Sequence, residues 1–356
     1  MRKLIHILAL SAILFATSCQ MRELMDLSNT HYVRVYVDEE IKNVTTGFYD
    51  ETNARPLYET PDVLRVMLAD PETGNVKTER YLRNKGWDEK GLYYDGYIIA
   101  DPGLYTLLAY NFDTESTVIR NANNHKDLLA ATNEIPSHLK TKIPSRATKS
   151  PDEDPEEIVY DPDHLFAANC GSVLIPYVDQ IDTLRTPEGE HFHAKTVVKS
   201  YYMQVRVKGI QYASSSVGLL TGMSGSFKVK DSDINEEHPV TVYFEMLPGS
   251  GSAAGMRRSA DEEAIIYTTF GTFGKLPQKE NELEITFDFL TVYGQPYSEA
   301  INITDVFAKP EAIENHWLLI DHVIEIPPPP EGGGSDGGGF KPSVDEWENI
   351  ETDIQL

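Results

Sequence analysis

Leu283-Glu-Ile-Thr-Phe-Asp-Phe289 alternates apolar and polar side chains at every position, and this alternation decides the fold class. Successive side chains of a β-strand point to opposite faces, so a period of two predicts a strand with one face on the core. The polar positions predict that the other face meets water, which is typical of an antiparallel sheet. His31-Tyr-Val-Arg-Val-Tyr-Val37 repeats the pattern near the other end of the chain, with its valines on one side.

Further strand-like runs cover much of the remaining chain. They lie at 63–68, 91–94, 97–99, 103–111, 172–177, 195–210, 240–246, 264–273 and 317–326. Turn-forming residues separate them, as at Asp70-Pro-Glu-Thr-Gly74 and Asn84-Lys-Gly86. Many short strands with such turn signals predict an all-β protein built as antiparallel β-sandwiches.

A change in composition divides the chain into two halves. The stretch 145–157 is polar and proline-containing, and it has too few apolar residues to offset the entropy of ordering it. We therefore predict a β-sandwich over 31–139, a flexible linker over 140–158 and a second β-sandwich over 159–328. The alternative is a long loop within one domain.

The C-terminal part, residues 329–356, is predicted to be a leash that ends in a strand. A proline run at 327–330 is typical of a stiff polyproline segment, and the glycine-rich stretch at 331–339 is typical of flexible coil. The four residues Ile350, Thr352, Ile354 and Leu356 then fall on one side of an alternating segment. This strand pairs either with an edge of its own chain or with a sheet of a neighbouring molecule.

Residues 1–18 have the pattern of an export signal. Arg2 and Lys3 precede an apolar run from Leu4 to Phe15, which is too short to span about 30 Å of hydrocarbon. The small residues before Cys19 resemble a bacterial lipobox, although Ala16 stands where Leu is usual. We predict cleavage before Cys19, acylation of Cys19 with fatty acids such as palmitate, and a tether over 19–30. An ordinary signal peptide with a chance cysteine is the alternative.

Charge and cysteine content exclude several classes of partner. Lys and Arg number 31 against 56 Asp and Glu, which gives a formal net charge of −25. Such a chain repels phosphate, so we predict that it binds neither nucleic acid nor anionic lipid and meets the membrane through its N-terminal lipid. The chain has 2 cysteines, so acylation of Cys19 leaves Cys170 without a disulfide partner.

The sequence contains no convincing catalytic or metal-binding pattern. Gly333-Gly-Ser-Asp-Gly337 has the letters of a nucleophile elbow but lies in the glycine-rich leash instead of a strand-to-helix turn. His191 and His193 lack further ligands at metal-binding spacing. We predict no catalytic residue, no metal and no cofactor, and hence no enzyme. The alternative is a hydrolase whose carboxylates lie far apart in sequence.

Aromatic side chains suggest a second kind of function. Trp87 follows the turn at 84–86, and Tyr93 and Tyr94 come shortly after it. Rings of this kind stack on sugars and fill pockets of partner proteins, so Trp87, Tyr93 and Tyr94 are candidate contacts for a glycan or a host protein. The alternative is that the tyrosines fill the outer face of a sheet.

Several segments in order resemble the fimbrillin-like lipoproteins, the superfamily of minor-fimbrial anchor subunits, and above all its branch of unknown function. They are Ala16-Thr-Ser-Cys19, Gly103-Leu-Tyr-Thr-Leu-Leu-Ala-Tyr-Asn111, Asp163-His-Leu165, Gly218-Leu-Leu-Thr-Gly-Met-Ser-Gly225, Phe270-Gly-Thr-Phe-Gly274, Asn302-Ile-Thr-Asp305 and His316-Trp-Leu-Leu-Ile-Asp-His-Val-Ile-Glu-Ile-Pro327. The resemblance implies two tandem transthyretin-like sandwiches, a lipid anchor in the outer membrane, exposure at the cell surface, and a role in fimbria assembly or adhesion without enzymatic activity.

The resemblance also implies that subunits join by strand exchange, in which a sheet groove accepts a strand from the next subunit. Family pilins open that groove after cleavage behind Arg or Lys. Here Arg55 precedes Pro56, which such proteases avoid, Arg34 lies in a predicted strand, and cleavage after Arg146 or Lys149 would split the predicted domains. A membrane-held anchor or a stand-alone surface lipoprotein therefore fits better than a shaft subunit.

Overall fold

The computed structural model describes residues 28–38, 47–51, 60–111, 114–140, 143, 156–248, 262–279 and 282–330, and the regular secondary structure of these residues is almost entirely β-strand. Their helical parts are short: helices at Ser137–Lys140, Thr304–Phe307 and Pro310–Asn315, and 3-10 turns at Ile210–Tyr212 and Pro277–Lys279. None of these helices is long and apolar enough to cross a membrane.

The strands follow one another along the chain. They are β1 Thr30–Asp38, β2 Leu64–Ala69, β3 Val76–Leu82, β4 Asn84–Asp88, β5 Gly91–Ile99, β6 Gly103–Asn111, β7 Thr117–Arg120, β8 Leu129–Thr132, β9 Glu157–Tyr160, β10 Phe166–Ile175, β11 Asp182–Thr183, β12 Phe192–Thr196, β13 Lys199–Lys208, β14 Ala213–Ser224, β15 Ser226–Lys228, β16 Asp233–Ile234, β17 Pro239–Glu245, β18 Leu247–Pro248, β19 Glu263–Thr272, β20 Glu284–Thr291, β21 Pro296–Asn302 and β22 Trp317–Glu325.

A curved nine-stranded sheet forms the first lobe. Its order is β3-β2-β6-β10-β12-β1-β5-β4, with β11 paired beside β1. The sheet curls until β3 approaches β5, where the Thr78 hydroxyl donates to the Ile99 carbonyl over 3.2 Å. Val33 and Val35 of β1 lie in the enclosed core with Phe192 of β12, as the alternation of residues 31–37 predicted.

Two sheets packed face to face form the second lobe. One has the order β21-β20-β14-β17-β9 and the other β18-β19-β13-β22. Phe244 and Phe270 stack between them with ring centroids 4.3 Å apart. Gly218 opposes Phe244 in the register of β14 and β17, and a Cβ there would lie 2.1 Å from the ring. Glycine therefore allows the ring to lie flat on the strand.

A small sheet and a shared core join the two lobes. The hairpin of β7 and β8 pairs through β8 with β15, which carries β16. Beneath this sheet Leu108 and Tyr110 of the first lobe belong to the same buried cluster as Val198 and Phe273 of the second. The lobes are therefore packed together through apolar side chains as well as linked by the chain.

The predicted boundary at residue 159 is wrong. The strands β10, β11 and β12, expected in the second sandwich, belong to the sheet of the first lobe. Ile175 opposes Gly103, and Phe192 opposes Val35. The chain thus returns to the first lobe after β9, and the second lobe holds residues on both sides of this excursion. Residues 157 and 158, placed in the predicted linker, begin β9; most of that linker lies outside the described residues.

The predicted strand over 195–210 is two strands in different lobes. β12 ends at Thr196 in the first sheet, and β13 begins at Lys199 in the second lobe. Val197 and Val198 between them are buried in the shared core. The apolar positions continue through the crossing because each half of the run has a core to face, so the pattern does not reveal the change of sheet.

The strand predicted from residues 283–289 is β20, but its polar side is not wet. Thr286 is 6% exposed and Asp288 2% exposed. On this side of the five-stranded sheet Ile135 and Ile143 form a buried cluster with Leu219 of β14. Ile135, just before the predicted linker, and Ile143, within it, thus cover the face that the alternation assigned to water.

Candidate functional site

Two pairs of tyrosines line the outer face of the first lobe. Tyr32 of β1 opposes Tyr97 of β5, and Tyr36 opposes Tyr93. Each pair packs edge to face, with ring centroids 5.7 Å and 5.8 Å apart. These four residues alternate with the core residues of the same strands, so the rings stand on the side of the sheet away from the core.

Arg34 fills the space between the two pairs. Its guanidinium carbon lies 3.7 Å from the centre of the Tyr93 ring, and its nitrogens lie 3.1 Å from Asp88 and 3.5 Å from Asp95. Tyr32 donates to Asp95 over 2.5 Å. Burial and this hydrogen bond raise the pKa of Tyr32 to about 12, so the hydroxyl keeps its proton and remains a donor at neutral pH.

The three predicted aromatic contacts have different positions. Trp87 lies on the edge strand β4 and is 70% exposed. Tyr93 is half-buried beneath Arg34. Tyr94 is completely buried and donates to the Pro61 carbonyl, so its prediction as a surface contact is wrong. Tyr94 is an even number of residues from Leu92 and Ile98, so its side chain lies on the same face of β5 as theirs. This spacing is visible in the sequence.

The exposed rings do not form one platform. Trp87 opposes Leu92, whereas Tyr97, which is 54% exposed, lies five residues further along β5. Five residues of strand span about 17 Å. Trp87 is therefore the surface residue of the predicted aromatic set, whereas Tyr93 packs against Arg34 and Tyr94 lies in the core.

The histidines near this face take part in the same packing. His193 stacks on Tyr36 with centroids 5.1 Å apart, and its Nδ1 lies 2.9 Å from an oxygen of Asp38. His191 also packs against Tyr36, at 5.8 Å. Among the described residues no three His, Cys, Asp or Glu side chains are grouped closely enough to hold a metal ion.

The two ends of the described chain lie at opposite ends of the molecule. The Asn29 amide donates to the Val178 carbonyl at the end of the first lobe where β10 finishes. β13 begins beside the first lobe, and its ten residues run about 33 Å away from it. β22 runs parallel to β13 and finishes where Glu325 opposes Lys208. The C-terminal tail therefore leaves from the far end of the second lobe.

Two sheet edges flank the point where the tail leaves. β21 and β22 are edge strands of the two sheets, and no described strand pairs with their outer sides. His322 of β22 lies 2.5 Å from Glu299 of β21, and the Tyr293 hydroxyl donates to the Pro327 carbonyl over 2.8 Å. Cys19 and the predicted donor residues Ile350, Thr352, Ile354 and Leu356 lie outside the described residues.

A cleft of about 680 Å³ opens on the outer face of the five-stranded sheet. Leu139 and Ile143 form part of one wall, and Asp288 and Glu245 are its carboxylates. The sequence did not single out this cleft, because its walls come from strands and a segment far apart in the chain.

The observed class is an all-β protein of two packed lobes, in which no described strand covers the outer sides of the edge strands β21 and β22. The family model described as a domain of unknown function, DUF5119, matches residues 18–245. This is more than half of the chain, and the chain belongs to that family.

A sequence relative and two solved structures extend the comparison. A Bacteroides ovatus protein named as a candidate fimbrium anchoring subunit, Fim4B, is 24% identical over 241 residues, or 67% of this chain and 60% of the relative. The chain therefore spans about 60% of that relative's length. A candidate adhesin from Bacteroides ovatus has a TM-score of 0.50 at 17% identity, over 88% of this chain and 99% of its own. The fimbrial anchor protein Mfa2 of Porphyromonas gingivalis has a TM-score of 0.39 at 13% identity, over 78% and 84%.

Proposed function

We propose that the chain is a surface lipoprotein that serves as an anchor, accessory or adhesion subunit of a fimbria and joins other subunits by β-strand addition. The relative named as a candidate fimbrium anchoring subunit supports this role. So does the position of the two ends of the described chain, because a molecule fixed at one end offers its other end to a partner. The proposed role requires no bond-making chemistry.

The observation that carries the proposal is the exit of the tail beside β21 and β22, two edge strands whose outer sides no described strand covers. A strand donated to such an edge gains main-chain hydrogen bonds, and its alternate side chains enter the space between the two sheets. The alternating residues Ile350, Thr352, Ile354 and Leu356 have the period that this mode requires. Depending on which edge it meets, the segment either closes its own lobe or enters a neighbouring subunit.

The test compares two variants of the tail in the native cell. Ile350→Asn with Ile354→Asn removes the apolar side of the strand, whereas Glu351→Asn with Asp353→Asn changes its other side. We expect the first pair to reduce the fimbrial subunit recovered with the chain by about a hundredfold, since two isoleucines lose their burial. The second pair leaves the recovery close to that of the unchanged chain.

Deletion of residues 340–356 provides the limiting case. If the truncated chain recovers as much fimbrial subunit as the full chain, strand donation by the tail is wrong. If both pairs of substitutions lower the recovery equally, the tail does not bind as a strand with one apolar face, and its overall amino-acid composition decides the binding.

Lipid anchoring at Cys19 has a test of its own. Cells fed a labelled fatty acid should incorporate it into the unchanged chain, and Cys19→Ser should abolish the label and release the chain from membranes. Label retained by the Cys19→Ser chain would place the acylation elsewhere.

A second candidate function is binding of a glycan or a host protein, and the exposure of Trp87 favours it. A ring that is 70% exposed on an edge strand is available for stacking on a sugar. Binding to a glycan array that is lost in Trp87→Ala and retained in Tyr97→Ala would support this function, whereas an array without signal for the unchanged chain would argue against its glycan form.

A further inference from the structure

Two leucines stand side by side on the outer surface of the first lobe. Leu104 of β6 and Leu174 of β10 are register partners. They are 53% and 72% exposed. Directly opposed residues on neighbouring strands project from the same face, so these side chains form one apolar ridge in water.

More exposed apolar residues gather at the same end of the lobe. The proximal pole is the set Ile99, Leu104, Leu174, Tyr177 and Ile181, whose exposed fractions are 54%, 53%, 72%, 64% and 43%. Backbone hydrogen bonds bring the segments together, because Asn29 donates to Val178 over 3.0 Å and accepts from Ala100 over 3.1 Å. A cluster of exposed apolar residues of this kind marks an interaction surface.

The chain also enters the first lobe at this pole. Cys19 precedes Ser28 by nine residues, and a fully extended segment of that length reaches about 30 Å. The second lobe is attached at the other end, where β12 finishes and β13 begins. A chain held at Cys19 thus keeps its proximal pole within one short tether of the membrane.

The charges around the pole define which lipid surface it can meet. Asp101, Asp179 and Asp182 lie within two residues of its apolar members in the sequence, and Asp182 opposes His31. Carboxylates are repelled by anionic headgroups, whereas a zwitterionic surface admits the leucines and accommodates tyrosine at the headgroup level. The occupant that fits both the apolar residues and the charge is a zwitterionic bilayer surface.

We propose that the proximal pole binds this lipid surface directly, so that the protein rests on the membrane instead of hanging free from its anchor. The orientation rests on the proposed acylation of Cys19, but the contact itself does not need it. The contact would hold the long axis of the molecule upright on the bilayer, so that the C-terminal tail points away from the membrane.

The test uses the chain from residue 19 to residue 356 with Cys19→Ser, which carries no acyl group, and phosphatidylcholine vesicles. We expect measurable partition onto the vesicles at millimolar lipid. Leu104→Asn with Leu174→Asn should lower the partition coefficient about tenfold or more, since both side chains leave the interface. Replacing part of the phosphatidylcholine with phosphatidylserine should also lower it.

The matched control is Leu290→Asn with Val292→Asn in the second lobe, where the side chains are 48% and 62% exposed. This pair should leave the partition coefficient unchanged. Circular dichroism verifies that both double variants remain folded, as expected for exposed positions.

Three results would overturn the proposal. They are no partition of the Cys19→Ser chain, an equal loss in the control pair, and leucine substitutions that abolish self-association while vesicle binding stays constant. The last result would assign the pole to a second copy of the chain. Fatty-acid labelling of Cys19 is measured separately, so failure of the lipid anchor and failure of the pole contact are distinguishable.

Discussion

Asp161 places a half-buried carboxyl at the junction of the two lobes. Burial raises its pKa to about 6, the hydrogen bond from the Gly271 amide opposes the increase, and the nearby carboxylates Asp163 and Glu245 add to it. Gly271 is itself packed against the Pro162 carbonyl, at 2.2 Å from where a Cβ would be. The Asp161 carboxylate therefore lies in closely packed surroundings where the chain passes from the second lobe to the first.

We predict that Asp161 makes the protein less stable as the pH rises. The folded-state pKa lies above the ordinary value of about 3.9, so the folded chain holds the proton more tightly than the unfolded chain. The stabilisation is complete below about pH 4 and is lost as the pH rises through about 6. Asp161→Asn should raise the free energy of unfolding at pH 8 by up to about 2 kcal/mol and have little effect at pH 4. Urea unfolding at both pH values measures this.

Asp163→Asn is the control with the opposite sign. One carboxylate oxygen of Asp163 accepts from the amides of Glu115, Ser116 and Thr117, so its charge is satisfied. Removing it should lower the free energy of unfolding at pH 8 by about 1–3 kcal/mol. An Asp161→Asn chain that is less stable at pH 8, or that gains equally at both pH values, would contradict the assignment.

Two of the predicted aromatic contacts, Tyr94 and Trp87, should contribute very differently to the free energy of unfolding. Tyr94→Ala should lower the free energy of unfolding by about 3–5 kcal/mol, because it empties a core site and removes the donor to Pro61. Trp87→Ala should change it by about 0.5 kcal/mol or less, because the ring is 70% exposed. Urea titrations of both variants test the pair, and equal losses would mean that Trp87 is packed against the lobe.

At the scale of elements, residues 47–51 lie as a strap on the second lobe. Phe48 packs edge to face against Tyr202 and Trp317, with centroids 4.9 Å and 4.8 Å away. The side-chain amide of Gln204 accepts from the Asp50 amide over 3.0 Å and donates to the Asp50 carbonyl over 2.9 Å. Two reciprocal hydrogen bonds and one ring thus hold a segment that lies between β1 and β2 of the first lobe.

We predict that Gln204→Leu loosens this strap without unfolding the lobe. The Asp50 amide loses its acceptor, which is worth about 1 kcal/mol, so its hydrogen exchange should become about fivefold faster or more. Amides of β13 paired with β19 should exchange at their former rate. Faster exchange throughout β13 would show that Gln204 supports the sheet and not the strap.

The elements show what the sequence can and cannot predict. The alternation at 31–37 and 283–289 identifies β1 and β20, because a period of two is a local property of the chain. Partners are not local: β10 and β12 have the same pattern wherever they pair, so the boundary at residue 159 was wrong. Arg34 shows the same limit at the outer face. Tyr32 and Tyr36 stand in its own strand, but Asp88 comes from β4, and Tyr93 and Asp95 come from β5.

For the whole molecule, the arrangement of the lobes follows from strand directions. β10 runs from the junction to the proximal pole, where Ile175 opposes Gly103, and β13 runs from the junction to the far end. The strands of the first lobe therefore reach one end of the molecule near Asn29, and the strands of the second lobe reach the opposite end near Pro327. An anchor at one end and a donated strand at the other are consistent with this order.

We predict that spin labels on Asp101 and Glu325, in a chain with Cys19→Ser and Cys170→Ala, are separated by more than about 45 Å. Each of β10 and β13 has ten residues and contributes about 33 Å along its own axis, and the bend at the junction shortens their sum. Double electron–electron resonance measures the distance, and labels on Leu104 of the proximal pole and on the nearby Asp101 give the short reference. A separation below about 30 Å would mean that the lobes fold back on each other, and a chain held at Cys19 would then present its tail to the membrane and not to a partner beyond it.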